Sequence, residues 1–313
     1  MGRKYRSTEE RLGLYEEVMR LRKQGLGYKR IARALKDKYG VSLNPGMVCM
    51  WVKGRYHPLG RCNKMIEGPG LAYTIGAWLG DGELVRDRKN YGYYVKLVVK
   101  DYDFAEEWGR CLAEALGRSK PYVPKWDNYQ QRWTVKGCSI LLYNLLRRAK
   151  DDPWILMPYL EKYPGKACRG FFDAEGSVNV ERYMIVATNT DPNIIDLFKT
   201  LLEKLDIDSK IYRYGRKELF ISPRTGKAYR RNSEYIMYLA IYEEENILRF
   251  AERVGFAIMR KWLELMKLVR RYRKKPKTGA KTFSHSSFLI FKILNSHAHP
   301  SDLDNEERGP GEI

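Results

Sequence analysis

Two nine-residue segments constrain this chain more than anything else in it: TIGAWLGDG at 74–82 and CRGFFDAEG at 168–176. Each carries small residues four apart, Gly76 and Gly80 in the first, Gly170 and Ala174 in the second. Positions four apart share a helix face, so each segment predicts a helix with a smooth stripe where another backbone can come close. Mid-helix glycine costs roughly 1 kcal/mol relative to alanine, a cost that tight helix–helix contact explains. Each helix then ends on an acid and a glycine, Asp81-Gly82 and Glu175-Gly176, which predicts a left-handed glycine stop. An acid in the last turn opposes the helix dipole by about 0.3–1 kcal/mol. Two such acids brought together repel, raising at least one pKa unless a cation lies between them. A hard divalent ion resolves both conflicts. Asp81, Glu175 and nearby backbone carbonyls, those of Gly80 and Ala174, are oxygen ligands of the kind Mg²⁺ accepts, with water completing its shell. Such ions activate water and stabilise the leaving oxygen in phosphodiester cleavage.

The two segments open a weak internal repeat. The first unit (70–150) reads as helix 71–81, a β-rich stretch at 91–99, helix 101–116, strand 132–136 and helix 138–149. The second (165–272) reads as helix 165–175, strand 184–188, helix 192–205, strands near 210–222 and 234–242, and helix 244–254. A further helix follows near 256–272. Both units are α-β-β-α-β-β-α, and their acids lie 94 positions apart. The segment 151–164, with Pro153, Pro158 and Pro164, joins them.

Residues 1–58 form a separate helical unit. Tyr15, Val18, Met19 and Leu21 mark one helix, Ile31, Ala32 and Leu35 a second, and Met47, Val48 and Trp51 a third. Asn44-Pro45 supplies the third helix with a cap and a proline at its first position. Three short helices with a tight glycine turn form a helix-turn-helix pattern. Residues 59–69 read as a linker, and 273–313 as a basic, polar, disordered tail in which Phe288–Leu294 docks as a short helix.

Charge narrows the partner. The 58 Lys and Arg against 38 Asp and Glu leave a net +20, which suits a polyphosphate better than a neutral substrate. Through Arg61 there are 15 basic and 5 acidic residues, half the surplus in a fifth of the chain. No apolar run approaches ~18 residues and no signal sequence opens the chain, so no membrane role is expected. The five cysteines are scattered and never spaced as CxxC, which points to a reducing cytoplasm without a zinc knuckle.

The two segments resemble the LAGLIDADG motif of homing endonucleases, over about residues 70–255, in the two-motif, single-chain arrangement. CRGFFDAEG matches it closely. TIGAWLGDG matches more loosely, with Leu79 where the family often has an acid and Asp173 supplying one in the second copy. The resemblance implies an α+β fold: a pseudo-twofold pair of α-β-β-α-β-β-α units whose curved sheets form a DNA-binding saddle, plus the small all-α helix-turn-helix domain. It implies Asp81 and Glu175 as catalytic metal ligands, with roughly two or three Mg²⁺ ions per site and Mn²⁺ as a substitute. The implied activity is cleavage of both strands of a long duplex, as in intron homing, by a monomer. A non-cleaving DNA-binding regulator and an intron RNA maturase are the alternatives on the same fold.

Strand parity nominates basic residues beside the acids. In 94–100, Val95, Leu97 and Val99 share one face, leaving Lys96 and Lys100 outward; in 132–136, Trp133 and Val135 face the core, leaving Arg132 and Lys136 outward. By resemblance, Lys100 and Lys136, at strand ends, stabilise developing charge at the scissile phosphate. The second half offers Asn189-Thr190 and, near the place matching Lys136, Tyr242-Glu243, so an asymmetric site is expected. The remaining DNA-binding candidates are Arg86, Arg88, Lys89, Lys96, Lys125 and Arg132 in the first half. In the second half they are Arg182, Arg213, Arg216, Lys217, Arg224, Lys227, Arg230 and Arg231, and in the helical unit Asn44, Lys53 and Arg55. Basic outward positions on long strand pairs suit entry into the major groove.

Overall fold

Three short helices open the chain in a computed structural model, which describes residues 6–60, 64–87, 92–216, 219–221, 226–230 and 233–274. They are α1 (Thr8–Lys23), α2 (Tyr28–Tyr39) and α3 (Pro45–Val52). Ser7 and Glu10 form a reciprocal capping box at α1, which satisfies two otherwise orphaned N–H groups. Gly40, at φ +64°, ends α2 in the left-handed region. Asn44 caps α3 by accepting the Gly46 N–H at 2.8 Å, with Pro45 in the first turn. Leu14, Val18, Ile31, Leu35, Val48 and Trp51 form a small core of their own, distinct from that of the rest of the molecule.

The remainder repeats one plan twice. The first unit runs α4 (Pro69–Asp81), β1 (Gly82–Asp87), β2 (Gly92–Val99), α5 (Tyr102–Ala115), β3 (Lys125–Asp127), β4 (Arg132–Cys138) and α6 (Ile140–Ala149). A 3₁₀ turn (Pro153–Leu156) and α7 (Met157–Leu160) make the connection. The second unit runs α8 (Pro164–Glu175), β5 (Gly176–Asn179), β6 (Met184–Asn189), α9 (Pro192–Glu203), β7 (Lys210–Gly215), β8 (Leu219–Ile221), β9 (Ala228–Arg230), β10 (Tyr235–Ile241) and α10 (Glu244–Arg253). α11 (Met259–Lys274) follows.

The expected α-β-β-α-β-β-α order holds in both units. The difference is the β8–β9 hairpin between β7 and β10, for which the first unit has only the short turn between β3 and β4. The antiparallel sheets share one order, β1-β2-β4-β3 and β5-β6-β10-β7. Register makes the equivalence residue by residue. Gly82 pairs with Leu97 and Gly176 with Ala187, while Val99 pairs with Trp133 and Asn189 with Met237. Val95, Leu97 and Val99 are buried while Lys100 is exposed, so parity assigns the faces of β2 as expected. The helices of both units close over one continuous core, from Leu71, Phe104 and Trp108 to Phe171, Phe198 and Phe250. No helix among the described residues is long and apolar enough to cross a membrane.

Candidate functional site

The two acids meet because α4 and α8 cross almost backbone to backbone. A Cβ added to Gly76 would lie 2.1 Å from the Ala167 carbonyl oxygen, and one on Gly170 would lie 2.3 Å from that of Tyr73. One on Gly80 would lie 2.5 Å from Cβ of Ala174 and 2.9 Å from Cγ of Glu175. Carbon–carbon contacts settle near 3.5–4.0 Å, so only glycine fits at these positions. The small-residue stripes are the contact surface.

The helix ends differ from the expected left-handed stop. Gly82 (φ −85°, ψ 151°) and Gly176 (φ −82°, ψ 151°) are extended, and each helix passes directly into a strand. Their glycines answer to crowding instead. A Cβ would lie 1.9 Å from Trp78 Cδ1 at Gly82 and 2.3 Å from the Phe172 oxygen at Gly176. Direct passage into β1 and β5 leaves Asp81 and Glu175 as the last residues of their helices, at the crossing.

Asp81 opens to solvent and Glu175 is half-buried, yet the crowded junction removes enough hydration to raise both pKa values. Burial raises Asp81, opposed by Lys261 and Arg132. Burial and then the Asp81 charge push Glu175 up to about 7, opposed by Lys261 and by a hydrogen bond donated by Asn189 Nδ2 to Glu175 Oε1 at 3.2 Å. At each acid burial outweighs the nearby positive charge, and Glu175 is raised further by the Asp81 charge. No group of three or more His, Cys, Asp or Glu suited to a metal occurs among the described residues. The donors available are two carboxylates and main-chain carbonyls, a short all-oxygen set of the kind a hard cation retaining several waters accepts.

Lys261 is the group that sequence reading missed. It is 7% exposed, and its Nζ donates to the carbonyls of Phe172 (3.1 Å) and Asp173 (2.5 Å) in the last turn of α8. Burial lowers its pKa to about 8, while Asp173, Asp101 and Asp81 hold it up. Its signal was present: Lys261 stands four and seven residues before Leu265 and Leu268, both buried, so it lies on the apolar stripe of α11.

Asp173, read from its motif letter, is a structural anchor. It is 1% exposed and accepts the Tyr73 hydroxyl at 2.7 Å and the N–H groups of Ala257 and Ile258 at 3.0 and 3.4 Å. Burial raises its pKa to about 6 against these bonds. One carboxyl therefore ties α4, α8 and the segment leading into α11 together. α11 also reaches the first unit, where Arg260 grips Asp101 through two bonds of 2.8 and 2.7 Å and the Met259 N–H meets Asp103 at 2.6 Å.

The nominated basic residues separate along the sheet. Continuing the β1–β2 register back by one residue sets Asp81 beside Val98, two positions before the exposed Lys100. The Lys100 charge acts on its neighbour Asp101, whereas the arginine acting on Asp81 is Arg132. Lys136 is a correction. It pairs with Lys96, three pairs along from Val99–Trp133, and its ammonium lies 5.0 Å from the Tyr94 ring centre. Parity identified its face, but the register carries it away from the acids, and its counterpart in the second sheet is the buried Ala240, not Tyr242 or Glu243. Ile236 and Thr190 correspond to Arg132 and Lys100, so the two halves differ in charge at the acid end.

Among the other candidates, Lys96 pairs with Glu83 at 3.1 Å on the outward face. Arg86 lies over Tyr93, and Arg213 over Tyr235 at 3.9 Å. Lys125, Arg182, Lys227 and Arg230 are exposed on strands or turns, and Arg216 is half-buried, its N–H bonded to the Glu234 carbonyl. Asn44, Lys53 and Arg55 flank α3, apart from the acid junction, and the Asn44 side-chain oxygen is engaged in its cap. Arg88, Lys89, Lys217, Arg224, Arg231 and the tail beyond residue 274, with Phe288–Leu294, lie outside the described residues.

A family model described as a LAGLIDADG-like domain matches residues 166–255. An uncharacterized protein of Methanocaldococcus jannaschii is 31% identical over 267 residues, covering 84% of this chain and 95% of that protein. Among solved structures, I-DmoI in complex with DNA and Mn is 15% identical with a TM-score of 0.41, covering 59% of this chain and 96% of that one. Full-length DUF199/WhiA from Thermatoga maritima is 14% identical with a TM-score of 0.38, covering 75% and 70%.

Proposed function

This chain belongs to the LAGLIDADG family, and on that premise we propose that it is a site-specific endonuclease cutting both strands of a long duplex DNA with a divalent cation. The observation that carries the reading is the meeting of Asp81 and Glu175 at a helix crossing that admits only glycine. A structural protein gains nothing from two carboxylates raised by burial at one junction, whereas a phosphodiesterase needs them to hold a cation.

Asp81 and Glu175 would hold Mg²⁺ or Mn²⁺, assisted by the carbonyls of Gly80 and Ala174. The bound ion supplies positive charge that activates water and stabilises the leaving oxygen. Lys261 fixes the last turn of α8 from behind and, by its charge, favours the ionised state of both acids. Asn189 orients Glu175 through its hydrogen bond. Arg132 and Lys100, at the acid end of the first sheet, bind the phosphate and stabilise its developing charge. The outward face of the first sheet, with Lys96 and Lys125, contacts the duplex, together with the exposed Arg182 and Arg213 of the second unit. One chain supplies both halves, so a monomer suffices and the target need not be palindromic. The N-terminal helices add a second DNA contact through Lys53 and Arg55. Four described cysteines are free thiols, in keeping with a reducing cytoplasm.

A second reading, a DNA-binding regulator that does not cut, draws support from the second half, where Thr190 and Ile236 replace Lys100 and Arg132. One experiment separates the two. The substrate is the continuous sequence obtained by rejoining the flanks of the gene, incubated with Mg²⁺ and the wild type, Asp81→Asn or Glu175→Gln. Endonuclease action predicts double-strand cutting by the wild type alone, while binding without cutting by the wild type would favour the regulator.

A further inference from the structure

The sheet end far from the acids holds a cleft of about 470 Å³ that the cleavage site does not use. Lys64, Arg118 and Lys136 line it, and no acid does among the described residues. Two tyrosines of the lining carry these cations on their rings: Arg118 lies 4.3 Å from the Tyr122 centre and Lys136 5.0 Å from that of Tyr94. All three cations are exposed, and no ion pair to an acid neutralises any of them among the described residues. Lys96, farther along the strand of Tyr94, is by contrast paired with Glu83. Three unneutralised cations around one concavity make an anion site, and the aromatic rings hold two of them in place.

Position identifies the anion. Lys136 and Tyr94 stand on the outward sheet face, the proposed duplex-facing surface. Lys64 belongs to the connector from the N-terminal helices, which the Ile66 N–H fastens to the Ala115 carbonyl at 2.8 Å, at the end of α5. The cleft therefore lies where the connector from the N-terminal helices meets the outward sheet face. We propose that it grips a backbone phosphate of the duplex outside the cleaved segment, on the path from the saddle to the N-terminal helices. The inference rests on the DNA-binding reading above and gives Lys136 a flanking role in place of a catalytic one. The cleft recognises a phosphate ester, and a free nucleotide is the other source of that chemistry.

Cys138 lines the same cleft, is half-buried and forms no disulfide, so occupancy can be read without substitution. The rate of Cys138 alkylation by iodoacetamide is followed by mass spectrometry in the full chain, alone, with a 40-base-pair duplex of random sequence, and with millimolar adenosine monophosphate. In parallel, duplex affinity is measured by fluorescence anisotropy across a salt series. The wild type is compared with Lys64→Ala/Arg118→Ala/Lys136→Ala and with a control carrying Lys162→Ala/Lys199→Ala/Lys204→Ala on the helix side. The cleft assignment predicts at least about fivefold slower alkylation with duplex. It also predicts a log–log salt slope shallower by about one to two units in the cleft variant but not in the control, at ~0.9 per phosphate contact. Protection by the nucleotide with an unchanged duplex slope would overturn the backbone assignment in favour of a free ligand. Unchanged alkylation and slope in a chain that binds duplex would overturn the site itself. Failure of the wild type to bind duplex at all would overturn the DNA reading, and this inference with it.

Discussion

Gly76→Ala tests the helix crossing on which the acid junction depends. The new methyl carbon would lie 2.1 Å from the Ala167 oxygen and 3.0 Å from its carbonyl carbon. Relief requires the helices to part by roughly 1 Å, since carbon contacts settle near 3.5 Å. Two effects oppose each other. Alanine favours the helix by about 1 kcal/mol, while overpacking a tight interface costs about 1–3 kcal/mol and sometimes more. Here the obstruction is main chain, which cannot swing aside, so the upper part of that range applies and the net loss is about 1–2 kcal/mol. In a body of this size that lowers Tm by about 2–8 °C. Gly13→Ala is the matched control. It lies within α1 with nothing within 4 Å of the added carbon, so it should stabilise its own helical unit by about 0.5–1 kcal/mol. Denaturant unfolding followed by tryptophan fluorescence and circular dichroism measures both. Gly76→Ala equal to or more stable than the wild type would refute the close crossing.

Metal-free stability should fall as pH rises from about 4.5 to 7. Glu175 holds its proton up to about 7 when folded and releases it near 4.5 when unfolded, so folding favours the protonated form and that advantage disappears on ionisation. Tm measured from pH 4.5 to 8 in chelator should show this decline, and Glu175→Gln should reduce it, most clearly between pH 6 and 7, above the Asp173 pKa of about 6. Tyr73→Phe removes a donor to the buried Asp173 and should cost about 1.5–3 kcal/mol, and Lys261→Met removes the charged donor to the Phe172 and Asp173 carbonyls and should cost about 1.5–3 kcal/mol; urea unfolding checks both. Because Arg132 and Lys100 have no basic counterparts in the second half, Arg132→Ala should slow cutting of one DNA strand by about 10²–10³-fold and the other far less. A strand-resolved gel time course that shows equal slowing would contradict that assignment.

What sequence could reveal was local. Spacings of four placed Gly76, Gly80, Gly170 and Ala174 on facing stripes, and alternation set Val95, Leu97 and Val99 inward, because both patterns follow from backbone geometry within one element. Position along a strand is another matter. Parity turned Lys136 outward, but only the β2–β4 register shows it opposite Lys96 and away from the acids. The glycines after the acids carried the usual mark of a left-handed stop, yet crowding by Trp78 and the Phe172 carbonyl explains them. Asp173 and Lys261 depended on partners 84 and 88 residues away, contacts that arise only when α11 folds back across α8. The β8–β9 hairpin sits within a stretch read as two strands, since turn and strand residues alternate there too closely to separate.

The most direct test of the paired-acid site is Mn²⁺ binding to the full chain, followed by electron paramagnetic resonance at pH 8 in the presence of non-cleaved duplex. The wild type should bind Mn²⁺ in competition with Mg²⁺. Asp81→Asn and Glu175→Gln should each weaken binding at least about tenfold, and the double variant should show none while retaining the wild-type circular dichroism spectrum. Wild-type Mn²⁺ affinity in the folded double variant would contradict the assignment of Asp81 and Glu175 as metal ligands.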